Sequence, residues 1–503
     1  MHIGGVFNIF GKLLILLSLF LLLPIPFSIY FNDGMERIFL LCAAFGTMAG
    51  SGLLAVFMPE KDMGYRDGFL IVVLSWLGLA FLGAMPFYFS GQMPSFVDCW
   101  FESMSGFTTT GSTVLSVVEI LPKSVLFWRA TTHWLGGMGI IVLSLAILPM
   151  LGFGGTQLFQ AEMPGPTKDR LAPRIQDTAR ILWTVYCMLT AIETGLLMLG
   201  GLDFYDAVCH SFATLATGGF STHSTSIGYF QSVYIDSVVI VFMFLAGINF
   251  TLHYQGMVKG KISAYWKSEE FRLYTAFILI SVLIIVLANN FGKIYTSFGK
   301  NVRDSTFQVV SIITTTGFGT ADFDKWPPVT RILLVALMFI GGCAGSTGGG
   351  IKVVRVLLFF KYARLQLHSL VHPKSVSTIK VGGVRVPREV KVAIIGFFSL
   401  YFSFFVVACL LVGSTGVDIV SGVTAVAATL NNIGPGLHLV GPTQHFGHLP
   451  TSAKAILSFC MLAGRLELYT VAVLFTPAFW SMARKPVYRW QPHTKVRKGK
   501  LSR

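Results

Sequence analysis

Four short segments decide how this chain folds: Thr108-Thr109-Thr110-Gly111-Ser112, Ala216-Thr217-Gly218-Gly219-Phe220, Thr314-Thr315-Thr316-Gly317-Phe318 and Asn431-Asn432-Ile433-Gly434-Pro435. Each carries glycine at the same place. Gly111, Gly219, Gly317 and Gly434 are separated by 108, 98 and 117 residues, which is the period of an internal repeat. Before each segment lies an apolar stretch of 10 to 14 residues, at about 96–107, 204–215, 303–313 and 417–429, too short to cross a bilayer.

Working outward, ten stretches approach the roughly 20 apolar residues that a transmembrane helix needs. They are 10–31, 36–58, 68–90, 125–151, 180–201, 233–257, 272–291, 330–361, 391–413 and 453–481. The order span, half-helix, loop, span therefore recurs over 68–151, 180–257, 272–361 and 391–481, after a two-helix leader. The predicted fold is an all-α integral membrane protein with four tandem helix–pore loop–helix repeats around a central pseudo-four-fold pore. Its expected divisions are a leader at 1–67, repeats at 68–179, 180–271 and 272–390, and a fourth repeat with a basic cytoplasmic tail at 391–503. The run 13–23 after Lys12 has no small-residue cleavage site behind it, so it reads as a retained first helix rather than a secretory signal.

Composition agrees. Only 12% of the 503 residues are charged and 53% are hydrophobic, whereas soluble chains carry about 25% charge; lipid must cover much of the surface. The net charge of +15 would suggest nucleic acid if it were spread along the chain, but the basic residues lie between apolar runs, and no nucleic-acid partner is expected. With a cytoplasmic N-terminus, 28 Lys and Arg fall on inner segments and 8 on outer ones. That bias places both termini in the cytoplasm and all four loops on the outer side. The outer segments also carry acids such as Asp98, Glu102, Glu119, Asp206, Asp324 and Asp418, either as solvated loop ends or as a vestibule that concentrates cations. The seven Cys form no CxxC pair and the 11 His show no metal-ligand spacing, so neither a metal cofactor nor any other cofactor is expected in this chain.

Irregular backbone at membrane depth is tolerated where protein buries it or where it lines a watery cavity. Four equivalent loops around one axis would present rings of carbonyl oxygens able to replace a cation's water shell. One residue per loop must then take a backbone conformation that only glycine adopts freely, and the half-helix C-termini would favour a cation. The loops themselves contain no acid. The filter candidates are Thr109, Thr110, Gly111 and Ser112; Thr217, Gly218, Gly219 and Phe220; Thr315, Thr316, Gly317 and Phe318; Asn432, Ile433, Gly434 and Pro435.

These four loops in register, with the two-helix leader, resemble the Trk/Ktr/HKT superfamily of K⁺ transporters over essentially the whole chain, and within it the bacterial TrkH-type translocating subunits. The resemblance implies K⁺ as the transported ion, held at Thr110, Gly111, Gly218, Gly219, Thr316, Gly317, Ile433 and Gly434. It implies uptake across the bacterial inner membrane, a homodimer, and a separate cytosolic TrkA-like subunit that binds nucleotides and regulates the pore. In plant members Ser at the first filter position accompanies Na⁺ transport; Gly111 stands there in this chain. The fourth loop departs from Thr-Thr-Gly, which predicts an asymmetric filter.

Two further features bear on control. The run Gly341-Gly342-Cys343-Ala344-Gly345-Ser346-Thr347-Gly348-Gly349-Gly350 cannot sustain a helix, since each internal glycine costs about 1 kcal/mol relative to alanine. It reads as a gate below the filter, the role the resemblance also implies for Gly345, Ser346, Thr347, Gly348, Gly349 and Gly350; the alternative is close packing at a helix crossing. A phosphate loop fails on spacing, because Ile351 separates Gly350 from Lys352. Arg465, predicted inside the last span, either reaches the conduction path as part of the gate or pairs with Glu467 or Glu193. Arg129, near a span end, is expected to snorkel outward. The basic inner loop 352–391 suits anionic lipid, and no nucleotide-binding fingerprint occurs in the chain. An H⁺- or Na⁺-coupled symporter of the same fold remains open, with Glu193 and Glu467 as the available carboxylates. A membrane enzyme would need a clustered nucleophile, base or metal site, and none is present in the sequence; an inverted-repeat transporter would need loops on opposite sides.

Overall fold

The computed structural model describes residues 1–60, 63–150, 175–373, 378–386 and 388–481. The basic tail from Arg484 onward, and Lys61, Lys168, Arg170, Arg174 and Lys374 of the inner-side count, lie outside the described residues. Within them six helices are long and apolar enough to cross a bilayer, and two bent pairs raise the number to eight.

The leader comprises α1 (Ile3–Phe20), α2 (Ile25–Phe31) and α3 (Glu36–Val56), with the turn at Pro24 dividing the first expected span in two. Helices α1 and α3 cross where Gly11 meets Gly50. A Cβ on Gly50 would stand 2.6 Å from the Gly11 carbonyl oxygen and 2.7 Å from Ile15 Cγ1. Such close crossings are a main source of helix association in lipid. Gly50→Leu is expected to lower stability by about 1–3 kcal/mol through overpacking, read as a lower melting midpoint of the detergent-purified protein. An unchanged midpoint would show that the leader has room to shift.

Four units follow. The first is α4 (Tyr65–Phe89), α5 (Phe96–Phe107) and α6 (Lys123–Met150). The second is α7 (Ile175–Leu199), α8 (Phe204–Leu215), α9 (Val233–Ala246) and α10 (Phe250–His253). The third is α11 (Glu269–Phe291), α12 (Phe298–Ile313), α13 (Pro328–Met338) and α14 (Val353–Val371). A two-residue hairpin, β1 (Lys380–Val381) and β2 (Val384–Arg385), precedes the fourth unit: α15 (Arg388–Gly413), α16 (Ile419–Leu430), α17 (Thr451–Arg465) and α18 (Tyr469–Ala472). Helices α5 and α8 occupy the expected short stretches to the residue, while α12 starts at Phe298, earlier than expected. Asp203 and Asp418 start α8 and α16 by accepting from the N–H groups of Asp206 and Ser421.

Besides the division at Pro24 and the glycine-rich interruption between Met338 and Val353, two expected spans bend sharply. The stretch 233–257 bends by 105° between α9 and α10, and 453–481 bends by 112° after Arg465. Hydropathy averages over a window and is blind to a change of direction within it. The bend after α9 has its freed backbone groups satisfied from the third unit: Cys343 N–H donates to the Gly247 carbonyl at 2.8 Å, and Phe250 N–H to the Gly345 carbonyl at 3.0 Å. Long helices carry apolar residues outward, with Leu199, Phe291 and Leu410 exposed, whereas the short helices bury most of their residues, polar ones included.

Candidate selectivity filter and intramembrane loop

All four short helices end alike. Thr109, Thr217, Thr315 and Asn432 are left-handed, with φ of 52°, 54°, 60° and 54°. Their N–H groups bond back to the carbonyls of Gly106, Thr214, Ile312 and Thr429. The next residues, Thr110, Gly218, Thr316 and Ile433, bond back to Ser105, Ala213, Ser311 and Ala428. This is the paired closure of a helix C-terminus that glycine usually completes; here Thr or Asn does so. Gly111, Gly219, Gly317 and Gly434 then adopt φ of 82°, 79°, 82° and 109°. Each loop thus holds two left-handed residues, not the one expected. A threonine in this region carries roughly 1–3 kcal/mol of strain, which the double closure of the helix end holds in place.

The loops close a ring in chain order. A Cβ on Gly111 would collide with the Gly218 carbonyl oxygen, one on Gly219 with that of Thr316, and one on Gly317 with that of Ile433. A Cβ on Gly434 would stand 3.0 Å from the Thr110 carbonyl oxygen, completing the circuit. In every case the facing carbonyl belongs to the residue just before the next loop's glycine. The outer limbs repeat the circuit. Val118 N–H donates to Ser224 Oγ at 2.9 Å, Gly228 N–H to the Gly319 carbonyl at 3.1 Å, His438 N–H to Asp324 Oδ2 at 3.0 Å, and Phe446 N–H to the Thr113 carbonyl at 2.7 Å. Ser224 N–H also donates to Glu119 Oε1 at 2.7 Å. Burial pushes the Glu119 carboxyl up, but bonds from Ser224 outweigh it and hold the group below its usual range. The ring is not four-fold in detail: Ser112 Oγ donates to the Gly434 carbonyl at 3.0 Å, whereas Phe220, Phe318 and Pro435 hold the matching positions.

The glycine-rich segment lies against the inner side of this ring. Gly349 N–H donates to Thr315 Oγ1 at 2.7 Å, and the Thr347 hydroxyl donates to the Leu215 carbonyl at the end of α8 at 2.9 Å. A Cβ on Gly349 would stand 2.5 Å from the Asn431 carbonyl oxygen. The segment thus touches units 2, 3 and 4. Its base is held as a neck by Gly341 N–H on the Ile351 carbonyl at 2.9 Å, and Glu270 accepts from Ala344 N–H at 2.7 Å and Val354 N–H at 3.1 Å. Arg465 closes the remaining side: it donates to the Thr347 carbonyl at 2.8 Å and to the Gly136 and Gly137 carbonyls at 2.6 and 3.2 Å. One guanidinium therefore spans from the fourth unit to the third and the first.

A family model described as TrkH, cation transport protein, matches residues 37–482. The chain belongs to the TrkH family. It is 45% identical over 484 residues to the Trk system potassium uptake protein TrkH of Escherichia coli K12, covering 95% of this chain and 100% of that one. It is 36% identical over 488 residues to the Trk system potassium uptake protein TrkG of the same strain, covering 95% and 99%. The crystal structure of the potassium transporter TrkH from Vibrio parahaemolyticus superposes with a TM-score of 0.87 at 42% identity, over 96% of this chain and 100% of that one.

Within this TrkH-family fold, Glu102, Arg129 and His133 are buried together, although Glu102 was expected among the outer-side acids and His133 was not singled out. Arg129 does not snorkel: it is 3% exposed and pairs with the fully buried Glu102 at 2.6 Å. Glu102 reaches out of α5 to accept from Thr113 Oγ1 at 2.9 Å and Val114 N–H at 3.0 Å. His133, one turn below Arg129, accepts from Phe220 N–H at 3.1 Å and bonds the Gly106 carbonyl at 2.8 Å through its other nitrogen. The available signal was a carboxylate in the middle of a short apolar helix, at Glu102. Glu467 pairs with Arg355, not with Arg465, and Glu193 lies fully buried in α7. Gly136 and Gly137 allow close packing against Phe107 and Ala216, and their carbonyls also receive Arg465.

Proposed function

We propose that this chain is the K⁺-translocating subunit of a potassium uptake system, conducting through a channel-like pore on the axis enclosed by the four loops. The observation that carries this reading is the circuit of carbonyls, each facing the filter glycine of its neighbour. On this axis the oxygens of Thr110, Gly111, Gly218, Gly219, Thr316, Gly317, Ile433 and Gly434 replace the water that K⁺ sheds. The C-terminal ends of α5, α8, α12 and α16 add favourable potential. No carboxylate is needed at the ion, so selectivity follows from carbonyl spacing.

Beneath the filter, the segment 345–350 and Arg465 form the closed gate, supported by their hydrogen bonds to Leu215, Thr315 and Gly136. Opening requires the segment to leave these partners. The excess of inner-side basic residues supports cytoplasmic termini in the bacterial inner membrane. The relatives are named as members of a Trk system, which supports a separate cytosolic TrkA-like regulator; the homodimer follows from the family resemblance alone. Uncoupled flux is favoured over H⁺ or Na⁺ symport because Glu467, one of two candidate coupling carboxylates, is committed to Arg355.

The test is K⁺ uptake in cells lacking their own systems, with Gly111, Gly219, Gly317 and Gly434 each replaced by Ser. Every variant is expected to lose affinity or K⁺ preference over Na⁺ at equal membrane amount. Wild-type transport in all four would remove the filter from these loops.

A further inference from the structure

The Arg129–Glu102 pair sits behind the filter and touches both sides of one loop junction. Arg129 is 3% exposed and Glu102 is fully buried. A buried ion pair contributes little net stability against an apolar replacement, so its placement needs another account. Each partner spends its remaining bonds on a filter loop. Glu102 accepts from Thr113 Oγ1 and Val114 N–H, just past Gly111. Arg129 donates to the Ser221 carbonyl at 2.9 Å, two residues past Gly219, and its guanidinium lies 3.4 Å from the Phe220 ring centroid. His133 stacks on that ring with centroids 4.0 Å apart and accepts from Phe220 N–H. Three ion pairs join neighbouring units, Arg303 with Asp236, Lys454 with Asp98 and Arg355 with Glu467, but none of these residues lies in a filter loop or bonds to one through its partner's carboxylate as Arg129 does.

We propose that Arg129 is a positioning residue for ion selection: through Glu102 on one side and Ser221 on the other, it fixes the gap between loops 1 and 2. This rests on the filter reading above and adds to it. Two rigid hydrogen-bonded arms of one guanidinium hold Gly111 and Gly219 at a set separation, while the paired carboxylate cancels the charge that would otherwise repel K⁺. Lysine keeps the charge but lacks the planar fork, and so cannot hold Glu102 and Ser221 together in the same geometry.

The variants are Arg129→Gln, Arg129→Lys, Glu102→Gln, the double Arg129→Gln/Glu102→Gln, and Thr113→Val. The last removes the Thr113 hydroxyl's bond to Glu102, keeps the bond from Val114 N–H, and leaves both charges in place. The readouts are the KM for K⁺, the inhibition by Na⁺, and the amount of folded protein by size exclusion. The preference for K⁺ over Na⁺ is expected to fall about tenfold, a change of about 1.4 kcal/mol, in Arg129→Lys and in the double variant. A smaller shift of the same sign is expected in Thr113→Val, with folded amount unchanged. If the double variant and Thr113→Val both keep the wild-type preference, the pair is structural only and the proposal is overturned. Gly111→Ser separates the two readings: an altered preference there with none here removes only the role of Arg129, whereas no effect of Gly111→Ser removes the filter itself.

Discussion

Gly317→Ser is expected to abolish selective K⁺ uptake, while Gly434→Ser keeps much of it. The difference follows from what each new Cβ would meet. At Gly317 it collides with the Ile433 carbonyl oxygen and lies 3.1 Å from Pro435 Cδ, and neither group can turn away, being backbone and ring. At Gly434 the nearest atom is the Thr110 carbonyl oxygen at 3.0 Å, so a displacement of a few tenths of an ångström suffices. Left-handed backbone adds strain of about 1–3 kcal/mol to a serine at either site. Combined with the clash, a loss of about 3 kcal/mol in K⁺ binding at Gly317→Ser corresponds to more than hundredfold, against about tenfold or less for Gly434→Ser. Gly111 and Gly219, whose Cβ atoms would also collide with backbone carbonyls, should fall with Gly317. Uptake kinetics with Na⁺ competition, normalised to membrane protein, check the order. Equal losses at all four positions would show that the carbonyl circuit does not set the effect.

The glycine register was legible because a residue type recurring at one point of four loops leaves few explanations other than a shared backbone need. The short helices α5 and α8 were legible to the residue, since Ser95 and Asp203 open them and Thr or Ala closes them. The second left-handed position was hidden because Thr109, Thr217 and Thr315 are β-branched and look extended by propensity; the helix closure imposes the conformation from outside. The breaks at 247–249 and 466–468 were hidden for a different reason. Their residues stay apolar enough to pass any hydropathy window, and the partners that satisfy the freed backbone lie far away in sequence, as Gly247 with Cys343 shows. At the second break Glu467 and Leu468 take φ of 58° and 49°, and Leu468 N–H bonds back to the Ala463 carbonyl at 2.9 Å. The same helix closure seen in the filter thus recurs at the foot of α17, and it turns the chain where Arg465 must point inward. Arg129 was misjudged because position along a helix says nothing about azimuth: near a span end, an arginine can face lipid or core equally well.

Arg465→Gln is expected to raise K⁺ flux in cells without the regulatory subunit, by up to about a hundredfold. In the observed arrangement the guanidinium holds the Thr347 carbonyl from one side and the Gly136 carbonyl from the other. Hydrogen bonds to a charged group contribute about 1.5–3 kcal/mol each, and the one to Thr347 is lost when the segment 345–350 moves aside, whereas Gly136 lies on α6, outside that segment. Losing that bond shifts a closed-to-open equilibrium by about 1.5–3 kcal/mol, or roughly ten- to a hundredfold. Glutamine retains a polar side chain but is too short to span both partners. Arg465→Lys separates the two ways in which the native residue could hold the pore shut. If the charge alone repels K⁺, lysine keeps the low flux of the wild type. If the bridge between the first and third units matters, lysine behaves as glutamine does, because its single ammonium lacks the forked reach to Thr347 and Gly136 together. The bonds present favour the second outcome. Rubidium uptake at matched membrane amount decides it, and flux in Arg465→Gln at or below the wild-type level would show that the gate is held elsewhere, with the Glu270 anchor at Ala344 and Val354 the next place to break it.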